Sequence, residues 1–413
     1  MNPVFKKAMH YDLIIIGMGL SGLMAAKTAA EAGRKVLIVG KGMGCLTLFS
    51  NTIDVLGKIP ETTRLRDGLS QWIQDHPEHP YSKVGLTRIE EGLSSFTSLF
   101  YPPYIFQTIG DGNCFIPTGA GTMRPTYLIP DTMVAGASGK EKKGLIVGFK
   151  GFRDFYAGYV AGPLNWRGIA LPLPETPGQE ISATALSRWM EKESFRKTIG
   201  QEIKKNLSGE TCVGVPAILG INDPIKVKMD LEEKIGVGVF EIPTLPPSIP
   251  GMRIFNRFKE WLIRRGVNFL SGYSISKASL KGKRCEGVYI HHPPVSSFYS
   301  ADRLILATGR FIGGGLVAGR ERISDPIFNL PVRQPGSQEE WFGKSFFDEH
   351  PIHRMGILTD SSLRPIDETG EPILENVRVA GTILSGHHCV NEKSREGIEI
   401  ATGYWAAKKA MEQ

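Results

Sequence analysis

Three glycines near the start of the chain have the spacing that cradles a phosphate. The stretch Tyr11-Asp12-Leu13-Ile14-Ile15-Ile16-Gly17-Met18-Gly19-Leu20-Ser21-Gly22 is an apolar run leading straight into GxGxxG. Gly17 suits the tight turn, Gly19 lets backbone approach a pyrophosphate, and Gly22 lets helix and strand pack closely. A helix opening at Leu20 and Ser21 would aim free N–H groups and a positive dipole end at that anion. The second strand, Lys35-Val36-Leu37-Ile38-Val39, should then end on a carboxylate for the ribose hydroxyls. Gly40 stands there, followed by Lys41, so the motif has its phosphate half and lacks its ribose half.

The elements that must hold this turn form a βαβ unit over residues 11–41, with Ala26 and Gly33 at the matching spacing. Two later segments return to it. Ala301-Asp302-Arg303-Leu304-Ile305-Leu306-Ala307-Thr308-Gly309 is a buried-strand pattern ending in small residues that permit close backbone approach. Asn376-Val377-Arg378-Val379-Ala380-Gly381 repeats that pattern, and residues 397–407 read as the final helix. Between them, residues 60–100 read as helical and residues 186–206 as one charged amphipathic helix. A helix is expected to begin near Phe152. Residues 245–251 are too rich in proline for regular structure, a helix follows over 252–265, and strands are expected over 267–270, 274–280 and 285–291.

The composition is that of an ordinary globular protein. A length of 413 residues allows two or more domains, and 48 glycines suit a fold rich in tight turns more than a helical bundle. The net charge of +7 suits a phosphorylated substrate, an anionic membrane surface or an acidic partner. No Lys/Arg run with interleaved aromatics points to nucleic acid. Cys45, Cys114, Cys212, Cys285 and Cys389 are scattered without a CxxC, so neither a metal site nor an iron–sulfur cluster is expected on this chain. They read as reduced thiols, Cys389 included. No apolar stretch approaches the ~20 residues of a membrane span, and no signal-peptide pattern follows Lys6-Lys7.

A GxGxxG start, a late Ala-Thr-Gly strand and a C-terminal strand–turn–helix together resemble two-domain flavoproteins of the glutathione-reductase type. The implied fold class is α/β: a Rossmann-like, discontinuous nucleotide-binding domain over residues 1–60, 250–315 and 350–413. An inserted cap or substrate domain would take residues 61–249 with 316–349. Residues 44–57, Phe240-Glu241-Ile242-Pro243-Thr244-Leu245-Pro246-Pro247-Ser248-Ile249-Pro250-Gly251 and Ala307-Thr308-Gly309-Arg310-Phe311-Ile312-Gly313-Gly314-Gly315-Leu316 narrow the resemblance. They are similar to the B subunits of the anaerobic glycerol-3-phosphate dehydrogenases, over essentially the whole chain.

That resemblance implies flavin-dependent oxidation of sn-glycerol 3-phosphate to dihydroxyacetone phosphate, with electrons leaving through a quinone. It implies two partners, a second flavoprotein (the A subunit) and an iron–sulfur, membrane-anchoring protein (the C subunit). The chain itself would sit peripherally on the cytoplasmic side of the membrane. The family carries FMN, whereas a complete GxGxxG suits FAD, so FMN is expected with FAD as the alternative. The expected cofactor contacts are Gly17, Gly19, Leu20, Ser21, Gly22, Gly40, Lys41, Thr308, Gly309, Gly381 and Gly397, the last at a helix N-terminus facing the isoalloxazine edge.

Oxidising a secondary alcohol needs a base for the hydroxyl proton, for which His350, His353, His387 and His388 are candidates. His387 and His388 rank first because they lie in the C-terminal turn. The substrate phosphate calls for cations, Arg310 first and then Arg124, Arg354 and Arg395. His291 and His292, before two prolines, read as a loop. Two alternatives stay open: a non-catalytic electron-transfer and assembly component of the same complex, and a stand-alone flavin oxidoreductase acting on another substrate.

Overall fold

The structure, a computed structural model, describes residues 9–137, 143–173, 179–293 and 295–412. The chain divides into two compact units. One comprises Met1–Cys45, Arg66–Leu99 and Arg257–Gln413; the other comprises Leu46–Leu65 and Phe100–Asn256.

The first unit is built on the strand Met9–Ile16, whose Leu13, Ile14, Ile15 and Ile16 are all buried. Such an uninterrupted apolar run suits a parallel strand covered on both faces. On one side it pairs in parallel with Val36–Gly40, which pairs in parallel with Asn268–Ser271. On the other side it pairs in parallel with the long strand Val295–Leu306, in a register running from Met9 opposite Tyr299 to Ile16 opposite Leu306. The far edge of Val295–Leu306 is shared. Its first half pairs antiparallel with Arg284–His292, and residues 304–306 pair in parallel with Val377–Val379.

This register brings distant segments of sequence together. Ile16 opposite Leu306 places the Gly17 turn beside Ala307, and the Ala307 N–H donates to the Ile16 carbonyl at 2.8 Å. The Ala380 N–H donates to the Leu306 carbonyl at 2.9 Å, which brings Gly381 alongside. The first helix, Leu20–Glu31, and the last, Arg395–Met411, then pack against each other at small residues. A Cβ on Gly403 would lie 2.3 Å from the Ser21 carbonyl oxygen.

Residues 66–99 belong to this unit, although the sequence pattern placed them in the inserted domain. The helix Leu86–Thr97 buries Ile89, Leu93 and Phe96, and Phe96 packs on Phe258 at 6.2 Å between ring centroids. A Cβ on Gly92 would lie 3.4 Å from Ala401 Cα in the last helix. Residues 316–349 also join the first unit, whereas residues 46–60 and 250–256 join the second. There Asn51 Nδ2 donates to Ser248 Oγ at 2.9 Å, and a Cβ on Gly251 would lie 1.7 Å from the Leu46 carbonyl oxygen.

The second unit has a parallel sheet in the order Gly238–Ile242, Cys212–Pro216, Gly144–Phe149, Arg167–Leu171. Three local expectations change. A helix starts at Ile249, because Pro250 falls in the first turn, where a missing N–H costs nothing. The region 186–206 is two helices, Ala183–Met190 and Glu193–Asn206. The helix expected from Phe152 is confined to Ala157–Ala161.

A buried ion pair ties this unit together. Arg253 Nη1 and Nη2 each donate to a carboxylate oxygen of Glu241 at 2.7 Å, and its Nε donates to the Gly220 carbonyl at 2.8 Å. Glu241 also accepts from the Leu219 N–H at 2.8 Å. Removing one partner strands the other charge in the interior. Arg253→Met is therefore expected to cost about 3–5 kcal/mol of stability, read from the urea midpoint; a loss under about 1 kcal/mol would contradict this role of the pair.

Candidate functional site

The glycine turn is built by exclusion of side chains. Gly17 has φ +117°, and a Cβ there would lie 2.1 Å from the Ala307 carbonyl oxygen. A Cβ on Gly22 would lie 2.0 Å from the Gly17 carbonyl oxygen. Gly19 differs, because nothing lies within 4 Å of its Cβ position. The first helix begins there with no side-chain cap and no acidic residue in its first turn. Its leading N–H groups, unpaired within the helix by geometry, are left for an anion.

The segments meeting at this turn carry buried polar atoms without protein partners. Ser21 Oγ, Thr308 Oγ1 and Glu396 Oε2 have none. Buried polar atoms are ordinarily paired, so these three orphans on converging segments are open to the donors and acceptors of a ligand. Gly381, at φ +85°, seats its backbone against Ser21, and its N–H donates to Thr402 Oγ1 at 2.8 Å. Gly397 is buried in the first turn of the last helix. The open glycine, the uncapped helix and the orphaned hydroxyls fit a flavin nucleotide bound through its phosphates.

The ribose end is different. A Cβ on Gly40 would lie 3.0 Å from Met18 Cγ and 3.1 Å from Met18 N, and Met18 is itself buried. Methionine fills the space beside the strand end, so no carboxylate stands where one usually holds the ribose. Lys41 is exposed, with Nζ 3.8 Å from the Cβ position of Gly314.

Beside this cradle lies a group of histidines organised by Arg310. Arg310 follows Gly309 directly and ties that turn to the loop 382–387. Nε donates to the Thr382 carbonyl at 2.6 Å, and Nη2 to the Leu384 and His387 carbonyls at 3.1 Å each. Nη1 donates to the His353 carbonyl. The guanidinium is thus committed to backbone, and burial lowers its pKa.

His387 is fully buried, and burial, then the nearby Arg310 charge, hold its pKa well below the ordinary 6.5. His388 caps the short helix Cys389–Glu392: its Nδ1 accepts from the Asn391 N–H at 3.2 Å, which leaves the ring proton on Nε2. Its ring lies 4.7 Å from that of His353, and burial lowers the pKa of both. The His353 ring makes no hydrogen bond among the described residues. His350 is used on both nitrogens, by the Gly343 N–H and the Phe346 carbonyl, each at 3.0 Å.

The remaining cations are spread out. Arg354 is exposed, 3.8 Å from Glu349, and lines a cavity of about 530 Å³ with His79, Arg333 and His350. Arg395 pairs with Glu396 inside the first unit. Arg124 pairs with Asp54 in the second unit. His291 and His292 extend the strand Arg284–His292, and His292 bonds Tyr299 at 3.2 Å.

Three further groups stand in or beside this region without any local sequence pattern of a site. Glu392 accepts from the His388 N–H at 2.7 Å and bonds His79 at 3.2 Å, fixing the histidine turn. His79 stacks edge-on against His387 at 6.1 Å. Glu399 is buried in the last helix with its pKa raised by burial to about 7. A signal for Glu399 was present in Ile398-Glu399-Ile400, a carboxylate between two isoleucines of a helix that has little face left for solvent.

Comparisons with known proteins agree with this geometry. The family described as FAD binding domain matches residues 12–398, which defines the class: a flavin-linked oxidoreductase built on an FAD-binding fold. Among its relatives, a protein of Halobacterium salinarum, named as the B subunit of a probable anaerobic glycerol-3-phosphate dehydrogenase, is 30% identical, over 98% of this chain and 99% of its own. The B subunit of the anaerobic enzyme of Vibrio cholerae is 30% identical over 98% and 97%, and that of Pectobacterium atrosepticum 28% over 98% and 99%. The chain belongs to the B-subunit family of anaerobic glycerol-3-phosphate dehydrogenases. The matching family is an FAD family, and nothing in these comparisons supports the FMN expected from the sequence. No helix is long and apolar enough to cross a membrane among the described residues.

Two glycine variants separate folding from binding. Gly17→Ala should destabilise the fold by on the order of 3 kcal/mol, since neither its φ nor the Ala307 carbonyl allows a Cβ. Gly19→Ala has room within the protein and should melt like flavin-free wild type while losing bound flavin, measured as flavin absorbance per chain. Equal melting of both variants, or full flavin in Gly19→Ala, would contradict the assignment.

Proposed function

We propose that this chain binds FAD and oxidises sn-glycerol 3-phosphate to dihydroxyacetone phosphate, as one component of a quinone-linked complex. The carrying observation is the near-full-length match to relatives of that name. In this reading Gly19 and the N–H groups of Leu20 and Ser21, beside Gly17 and Gly22, would hold the pyrophosphate of FAD. Thr308, Gly309, Gly381 and Gly397 would line the flavin end, and Gly40 and Lys41 would border the adenosine end. The flavin, when bound, supplies the hydride acceptor.

The side chains divide the remaining work. His353, whose ring nitrogens are uncommitted, accepts the hydroxyl proton. His388 orients the same oxygen through Nε2–H, and Arg310 with buried His387 fixes the turn that carries them. Arg354, with donors left over from its 3.8 Å contact with Glu349, takes the phosphate. The complex would include a second flavoprotein, the A subunit, and an iron–sulfur protein, the C subunit, which would hold this chain peripherally at the cytoplasmic face of the membrane.

The pH sense follows from the histidines. A base whose pKa lies below 6.5 is already neutral at pH 7, so kcat/KM should be flat above about pH 6.5 and fall in acid. His353→Gln should lower kcat by about 10²–10⁴-fold. The decisive experiment adds sn-glycerol 3-phosphate anaerobically to the purified chain. Flavin bleaching is the expected result; bleaching only after the partner flavoprotein is added would make this chain an electron relay, and bleaching by an unrelated donor alone would refute the substrate.

A further inference from the structure

The last helix, Arg395–Met411, is buried along most of its length, and its opening turns carry Arg395, Glu396 and Glu399. Arg395 and Glu396 pair with each other. Glu399 is 8% exposed and makes no hydrogen bond or ion pair among the described residues. Its Cγ lies 4.0 Å from the Cβ position of Gly381, which in turn abuts Ser21. The side chain therefore sits where the glycine turn, the last strand and the last helix meet, near Ser21, whose Oγ is orphaned.

An ionised carboxylate with no donor is costly in such a place, so the group either keeps its proton or meets a donor brought by a ligand. The charged and titratable groups facing it are few. Arg395 and Glu396 come from its own helix, Cys45 from the turn Gly44–Thr47, and Cys389 from the short helix before it. Burial pushes the Cys45 thiol up to about 11 and raises Cys389, so both stay protonated at neutral pH. Arg395 stays charged, its pKa raised by Glu396 and Glu399 against the pull of burial. Burial lifts Glu399 to about 7, with Arg395 opposing, so its charge changes near neutrality.

We propose that Glu399 holds the exchangeable proton of the flavin site, releasing it from its carboxyl when two electrons arrive and taking it back when they leave. The charges balance. A hydride adds two electrons and one proton to the site, hence one negative charge, and the carboxyl proton neutralises it. The carboxylate left behind faces Arg395. When the electrons pass to the acceptor, the two protons leave as well, one returning to the Glu399 carboxylate and the other going to solvent. No electron passes through the carboxyl. The inference rests on flavin at the glycine cradle and is independent of which alcohol supplies the hydride.

Photochemical reduction of the flavin-loaded chain, without substrate, tests it through redox-difference infrared spectra and the pH dependence of the flavin midpoint potential. On reduction the wild type should lose the C=O band of a protonated carboxylic acid, and its potential should bend with pH near about 7. In Glu399→Gln both should disappear. A wild-type spectrum without that band, or a band and bend that survive in Glu399→Gln, would overturn the proposal. If Glu399→Gln purifies without flavin, Glu399→Asp decides. A shifted band supports the assignment, and an unshifted one gives the band to another group and refutes it. Because the electrons are supplied photochemically, failure of glycerol 3-phosphate to reduce the flavin leaves these outcomes untouched.

Discussion

The carbonyl oxygen of Ala307 occupies the space a side chain on Gly17 would need, 2.1 Å from its Cβ position. That contact follows from the pairing of Met9–Ile16 with Val295–Leu306, two strands far apart in the chain. It sets the place of much else. Gly22 packs on Gly17, Gly381 on Ser21, and Gly403 on the Ser21 carbonyl, so the first helix, the last strand and the last helix converge through backbone. A site made this way has little room to adjust. Its polar atoms are fixed by main-chain geometry, and a helix N-terminus faces an open glycine at the centre.

Burial decides the electrostatics around that centre. Arg310 has four backbone carbonyls for partners, an arrangement that spends its donors on shape and leaves its charge to act on neighbours. One neighbour is His387, which is held neutral because a second positive charge beside Arg310, out of water, is unfavourable. Glu392 works in the opposite sense. Burial pulls its pKa upward, but bonds from His79, the His388 N–H and Ser394 outweigh that and hold it down. The histidine turn is thereby pinned from both sides, by a cation bonded to its carbonyls and a carboxylate bonded to its N–H.

The βαβ unit was legible in the sequence because glycine spacing reports backbone geometry directly. The strand ending in Ala-Thr-Gly and the final helix were legible for the same reason, since small residues at strand ends mark close approach. The helices of residues 66–99 were legible as helices but not in their unit, because an amphipathic pattern says that a face is buried and not against what. The roles of the arginines were hidden, since nothing local distinguishes a guanidinium that meets carbonyls from one that meets a phosphate. Gly40 in place of a carboxylate is plain in the sequence. What could not be read was that Met18, inside the glycine motif itself, fills the place beside it.

That substitution bears on the central claim, that an intact phosphate cradle holds a full dinucleotide without a ribose carboxylate. The cradle has its open glycine and uncapped helix, and the matching family binds FAD. Heat release of the cofactor from the purified chain, followed by mass spectrometry, tests the claim most directly. The account predicts FAD in the supernatant at about one per chain; FMN alone would contradict it, and would mean that the space beside Met18 leaves no place for the adenosine.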